Sequence, residues 1–234
     1  MGRSSRRPVA HLALGRTDYG DVLNLQRALR DRRSDGSIGD LVITVEHDPV
    51  FTIGRRGSRA NLLVTRGILD QEGLRVFEVE RGGDITYHGP GQLVVYPIID
   101  LRDYGRDLHG YVERLEEAAI RTLATFGIGG RRMPGFPGVW VDRRKIASVG
   151  VHVRRWITLH GLALNVNVDP RHFAMIRPCG LSVEAISVSG IVGEPVGLDT
   201  VAERFLTQAE SVFGWRLVPV DRDEMERGRD DDEA

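Results

Sequence analysis

Residues 138–168, GVWVDRRKIASVGVHVRRWITLHGLALNVNV, carry the reading that decides the fold. Residues 138–141 and 145–153 are rich in Val, Ile, Ala and Trp and flank the polar Asp142, Arg143 and Arg144, a pattern that predicts a hairpin. Residues 161–168 predict another strand close behind. Further out, residues 41–46, 74–80 and 93–99 are short runs of Val, Ile, Leu and Phe, each the signature of a buried strand. Helical spacing occurs over residues 18–33, with Val22, Leu25 and Leu29 on one stripe. It recurs over residues 107–126, from Leu108, Tyr111 and Leu115 to Phe126. A short helix is expected near residues 171–176, and a last helix opens with the capping box Thr200-x-x-Glu203. Strands joined by short turns with few interposed helices favour a mixed sheet over a regular βαβ array. The expected class is α/β (α+β): one domain with a central mixed, largely antiparallel sheet flanked by helices.

The chain has 234 residues, 41% hydrophobic and 28% charged, which suits one globular domain and excludes collagenous or disordered classes. Its formal net charge of −1 offers no global field for nucleic acid. No apolar run reaches the 18 or so residues of a membrane span, and the stretch 9–14, broken by His11, is short for a secretory signal. With one cysteine, Cys179, an intrachain disulfide or a multi-cysteine metal site is impossible, and the cytoplasm is the expected compartment. Residues 221–234 hold eight acidic and three basic side chains, with Met225 their only large apolar one. The expected organisation is a flexible leader (1–8), one folded domain (9–218) and an acidic, poorly ordered tail (219–234).

Of 32 basic residues, 31 are arginine and one is Lys145. Arginine does not deprotonate in a protein, whereas lysine can, so a lone lysine in an arginine-biased chain is a candidate base; the bland alternative is a chance survivor on a turn. Nucleotide and metal signatures are missing: no G-x-G-x-x-G follows a strand, and there is neither a P-loop nor H-E-x-x-H. The densest unusual segment is RGGDITYHGPGQ, residues 81–92, a glycine-rich loop between two strands that lets backbone approach a ligand. Cys179, between Pro178 and Gly180, sits in a tight turn that can present its sulfur, although most lone cysteines are inert core. A Cys179–Lys145 pair would make both singletons intelligible.

Three motifs, RGGDITYHGPGQ (81–92), KIASVGV (145–151) and PCG (178–180), together with HGLALNVN (160–167), occur in the order found in the lipoyl(octanoyl)transferases. Over residues 10–215 the chain resembles that family, which belongs to the biotin/lipoate protein ligase superfamily. The resemblance implies a biotin/lipoate protein ligase-like fold, no cofactor and no metal. It also implies transfer of an octanoyl group from acyl carrier protein to a lysine of lipoyl domains of 2-oxoacid dehydrogenase complexes or of the glycine cleavage carrier protein. Cys179 would form the acyl thioester and Lys145 would lower its pKa and move the proton. Substrate contacts are implied for Arg81, Gly82, Gly83, Asp84, Ile85, Thr86, Tyr87 and His88, for Ser148, Val149 and Gly150, and for Gly161, Leu162 and Ala163. Backbone N–H groups near Gly180 or in the glycine-rich loop are candidate oxyanion donors, with His88 a further one. Arginine pairs such as Arg55-Arg56, Arg131-Arg132, Arg143-Arg144 and Arg154-Arg155 are candidates to steer acidic carriers. Two alternatives stand beside this reading: an ATP-dependent lipoate or biotin protein ligase, and a non-enzymatic carrier-binding module.

Overall fold

The computed structural model describes residues 6–177 and 184–226. Eleven described strands form two sheets. They are β1 (Arg7–Thr17), β2 (Leu41–His47), β3 (Val50–Ile53), β4 (Arg75–Glu78), β5 (Ile85–His88), β6 (Gln92–Ile98), β7 (Arg131–Met133), β8 (Phe136–Val141), β9 (Arg144–Arg154), β10 (Ile157–Asn165) and β11 (Trp215–Pro219). The large sheet runs β11-β1-β2-β6-β10-β9-β8-β7, parallel only where β1 meets β11 and β2; the small one is β4-β3-β5. The described helices include α1 (Tyr19–Asp35), α2 (Arg66–Gln71), α3 (Leu108–Ala124), α4 (Val188–Val192), α5 (Leu198–Phe213) and α6 (Arg222–Glu226).

β6 and β10 are buried along their whole length because both faces of the large sheet are covered. On one face Leu93, Val95, Leu162 and Leu164 pack with Tyr111, Leu115 and Ala119 of α3 and Phe205 and Ala209 of α5. On the other, Val94, Tyr96 and Ile98 pack with Val22 and Leu29 of α1. Asp18 caps α1 by accepting from Gly20 N at 2.8 Å and Asp21 N at 3.2 Å, and Asp107 caps α3 by accepting from Gly110 N at 3.0 Å.

Several boundaries differ from the sequence reading, each for a physical reason. The strand expected at residue 161 begins at Ile157, because β9 and β10 are joined by a two-residue turn of Arg155 (φ 52°) and Trp156 (φ 69°). Such turns favour Asn and Gly, so this one carries no residue signal. α5 starts at Leu198 after Gly197, which puts Thr200 inside the helix and leaves the expected capping box without a cap. The segment 81–92 is not all loop: it contains β5. At the ends, Arg7 and Pro8 already belong to β1, and Asp221 does not mark the start of solvated chain. α6 follows it, with Met225 only 8% exposed among the apolar residues beside α1.

Met225→Ala is therefore expected to cost about 2 kcal/mol, a drop of roughly 4–8 °C in Tm, read by thermal denaturation. An unchanged Tm would mean that α6 contributes nothing to the core.

Candidate active site

The small sheet and its following loop stand over β9 and β10, enclosing a cleft of about 1210 Å3. Small side chains make the floor: Ser148 is opposite Ala163 and Gly150 opposite Gly161, while Val94 of β6 flanks Ala163 on the other side. The roof is tied down by the Gly82 N–H donating to Val151 O at 2.9 Å. A Cβ on Gly150 would lie 3.1 Å from both Gly82 O and Arg81 Cδ, so glycine permits this close approach. Arg81 is buried, its guanidinium donating to Thr52 O (2.6 Å), Thr52 Oγ1 (2.9 and 3.1 Å) and Gly82 O (3.0 Å), and it thereby holds the loop in shape. Asp84 accepts from Ile85 N and from Asn61 Nδ2.

The structure brings the motifs at residues 81–92, 145–151 and 160–167 to this one cavity. Residues 81–86 and 88, 148–150 and 161–163 all line it, together with Lys145. Tyr87 does not. Strand alternation turns it to the opposite side of β5, where it packs on Phe51 and stacks on His172 at 4.7 Å between ring centroids. Cys179 and Gly180 lie outside the described residues.

One end of the cleft is built around Lys145. Its Nζ stands 5.0 Å from the centroid of the Trp140 ring, a cation–π distance. Gly138 (φ 124°) makes room for it, since a Cβ there would lie 2.9 Å from Lys145 Cε and 2.4 Å from Ala147 O. Gly138 is held by Glu116 of α3, whose Oε1 accepts its N–H at 2.7 Å and whose Oε2 pairs with Arg132 Nε at 3.2 Å. Burial raises the Glu116 carboxyl above the usual range. The Lys145 backbone is equally fixed: its N–H donates to Glu184 O at 2.9 Å and its C=O accepts from Ile186 N at 3.0 Å.

The other end is polar and buried, lined by Tyr19, Tyr96, His88 and His160. His88 stacks parallel on Tyr19 at 5.9 Å and meets Gln92 Oε1 through Nδ1 at 2.7 Å; burial pushes it down to about 3. His47, behind it, bonds Thr17 O and Tyr96 Oη and is pushed by burial down to about 4. His160 has an unusual positive φ of 61°, and its Nε2 lies 3.7 Å from Glu80 Oε2, which a bidentate Arg27 also holds. Burial lowers His160, while His160 and Arg27 hold Glu80 well below the usual carboxylate range against its own burial. His160 heads the motif at residues 160–167 without being among the expected substrate contacts, and Glu116, Trp140 and Tyr96 are site residues that the sequence did not mark. They are lone aromatic or charged residues on ordinary strands or helices, and only tertiary packing collects them. Among the described residues, no group of three or more His, Cys, Asp or Glu is placed to hold a metal, and no helix is long and apolar enough to cross a membrane.

The chain has counterparts among known proteins. Residues 18–210 match the family described as the lipoyl protein ligase A/B catalytic domain. The chain belongs to that family. A curated octanoyltransferase of Solibacter usitatus is 47% identical over 206 residues, covering 88% of this chain and 93% of its own. One of Geobacter metallireducens is also 47% identical, covering 80% and 85%. With relatives this similar over most of its length, the chain is an acyltransferase. A lipoate-protein ligase A solved with ATP bound superposes with a TM-score of 0.72 at 18% identity, covering 93% of this chain and 92% of its own. A bi-partite lipoate protein ligase from Thermoplasma acidophilum superposes at 0.71 and 16%, covering 94% and 89%. At that identity the structures speak for the fold alone, a mixed sheet flanked by helices in the biotin/lipoate ligase arrangement.

The buried histidines set the pH dependence of stability. His47 and His88 take up protons near pH 6.5 when unfolded but only near 4 and 3 when folded, so between these limits the unfolded state binds more protons and stability falls as pH falls. Glu80, depressed in the folded state, adds a loss in the same direction once pH drops below the carboxylate range. Urea midpoints are expected to be level from pH 9 to 7.5 and to decline from 6.5 to 4; a level profile down to pH 5 would contradict the buried neutral state.

Proposed function

We propose that the chain transfers an octanoyl group from an acyl carrier protein thioester to a lysine of lipoyl domains, in 2-oxoacid dehydrogenase complexes or the glycine cleavage carrier protein, through a thioester on Cys179. The observation that supports this most is the setting of Lys145. The one lysine of the chain lines the cleft, and its own backbone is bonded to Glu184, five positions after Cys179 in sequence.

The chemistry follows from that pair. The Cys179 thiolate attacks the carbonyl carbon of the donor thioester; the tetrahedral intermediate collapses with loss of the pantetheine sulfur, which takes a proton from the Lys145 ammonium and leaves as a thiol. One thioester replaces another, so no external energy source is needed. The acceptor lysine then attacks the acyl-enzyme as a neutral amine, its surplus proton passing to Lys145, and the Cys179 sulfur departs. A group that must give a proton in one half-reaction and take one in the other has to be an amine and not a guanidinium. The small-residue floor and Val94 line a slot for the acyl chain, where each buried methylene contributes about 0.8 kcal/mol. Arg56, exposed and at the cleft, is in place to meet an acidic carrier; Arg132 is occupied by Glu116 and Glu117. The cytoplasm remains the proposed compartment.

Incubation with octanoyl-acyl carrier protein in the absence of ATP should add one octanoyl mass, located by peptide mapping at Cys179 and lost in Cys179→Ala. No adduct, together with ATP-dependent transfer of free octanoate, would establish a ligase instead. Lys145→Arg should lower the transfer rate by about 100-fold or more although charge is kept, on the scale of lost general acid–base catalysis. Near-full activity of that variant would reduce Lys145 to an electrostatic role.

A further inference from the structure

His88 sits at the start of a chain of side-chain amides whose direction is imposed from both ends. Asn165 of β10 lies opposite Gln92 of β6 in the large sheet. The Asn165 Nδ2 donates to Ile186 O at 3.1 Å, and the Gln92 Nε2 donates to Asn165 Oδ1 at 2.9 Å and to Tyr87 O at 3.3 Å. The Gln92 Oε1 then faces His88 Nδ1 at 2.7 Å. Ile186 O and Tyr87 O are backbone carbonyls and can only accept. Turning either amide over would set oxygen against oxygen at one of them, so the polarity of the whole chain is settled: Gln92 offers an acceptor, and His88 must donate through Nδ1–H.

A neutral imidazole with its proton on Nδ1 carries a lone pair on Nε2. His88 is only 6% exposed, lines the cleft, and among the described residues nothing bonds its Nε2. Its ring is held in place by stacking on Tyr19 and by the edge of His47 at 6.0 Å.

We infer that Gln92 and Asn165 are positioning residues that lock His88 in the Nδ1–H tautomer, so that its Nε2 serves the transfer reaction as a hydrogen-bond acceptor for an N–H group of the substrate. This corrects the expectation that His88 donates to an oxyanion: in this tautomer it has no proton to offer the cleft. Two N–H sources enter such a site, the amides of the donor's pantetheine arm and the amine of the acceptor lysine, and both present the same chemistry to Nε2. The relay also joins the glycine-rich segment to the catalytic strand. Ile186, which receives the Asn165 amide, donates its own N–H to Lys145 O, so the element that orients His88 is the one that brackets Lys145. The inference rests on the acyl-transfer reading for its substrate but not for the tautomer, which can be measured on the protein alone.

The test has two parts. In protein labelled with 15N-histidine, with the His88 signals assigned by their loss in His88→Gln, the two-bond imidazole spectrum at pH 7 should show a protonated Nδ1 and an unprotonated Nε2. Gln92→Met and Asn165→Leu, each folded by circular dichroism, should shift the population toward the Nε2–H form. A wild-type Nε2–H tautomer, or an averaged signal, overturns the inference. In the second part, acyl-enzyme formation without any acceptor is timed with octanoyl-pantetheine and with the octanoyl thioester of ethanethiol, which has no amide. Wild type should prefer the pantetheine thioester, and the variants should lose about tenfold of that preference, the ratio that one hydrogen bond supports. If instead the loss appears only when an amine acceptor is added, the N–H recognised is that of the acceptor. No loss in either half-reaction overturns the role in recognition. A wild-type protein that forms no adduct overturns the acyl-transfer reading and leaves the tautomer measurement standing.

Discussion

The cleft exists because backbone meets backbone at two points where a side chain would prevent it. At one, the Gly82 N–H reaches Val151 O of β9 across the space above Gly150. At the other, Gly91 O accepts from both Val166 N and Asn167 N, and a Cβ on Gly91 would lie 2.6 Å from the Asn167 carbonyl carbon. These contacts pin the two ends of the segment containing β5 onto the large sheet and leave the floor between them open. The positions of Arg81, His88 and the loop over Ser148 all follow from this fastening.

Between those anchor points the two ends of the cavity differ in kind. Around Lys145 the groups are an aromatic ring, a carboxylate and an arginine, arranged to hold an amine close to the surface of the cleft. At the far end four rings and a half-buried acid, Glu80, form a polar cluster in which burial keeps the histidines neutral. A neutral histidine costs less to bury than a charged one, and it keeps both a donor and an acceptor. These histidines can therefore orient a ligand without themselves placing a charge beside an apolar chain.

Where local chemistry carries the signal, the sequence could be read closely. The β8–β9 hairpin, the buried β6, the two long helices and the glycine-rich motif are all visible as periodicity or composition, and the residues named at 81–88, 145, 148–150 and 161–163 do meet in one cavity, Tyr87 excepted. The losses have particular causes. Arg155 and Trp156 turn the chain with residues that rarely adopt positive φ, because the pairing of β9 with β10 over eight positions outweighs local preference. β1 carries His11 and two arginines within its length and owes its order to partners on both sides. Glu116 reads as one more acidic residue on a helix; only the fold shows Gly138 above it. The amide relay was half visible, since Gln92 closes the glycine-rich motif, but Asn165 joins it only through the pairing of β10 with β6.

The place of β1 in the large sheet bears on how the protein is made. β1 lies between β2 and β11, and its outer edge, from Arg7 opposite Trp215 to His11 opposite Pro219, is satisfied by residues some two hundred positions later. During synthesis that edge stays open until nearly all of the described chain has left the ribosome, a row of unpaired N–H and C=O groups of the sort that recruits foreign strands. Closure of the sheet is thus a late event of high sequence separation, slow by its topology. Chaperone demand in the cell and aggregation during refolding should both trace to this one seam, far from the cleft where the chemistry takes place.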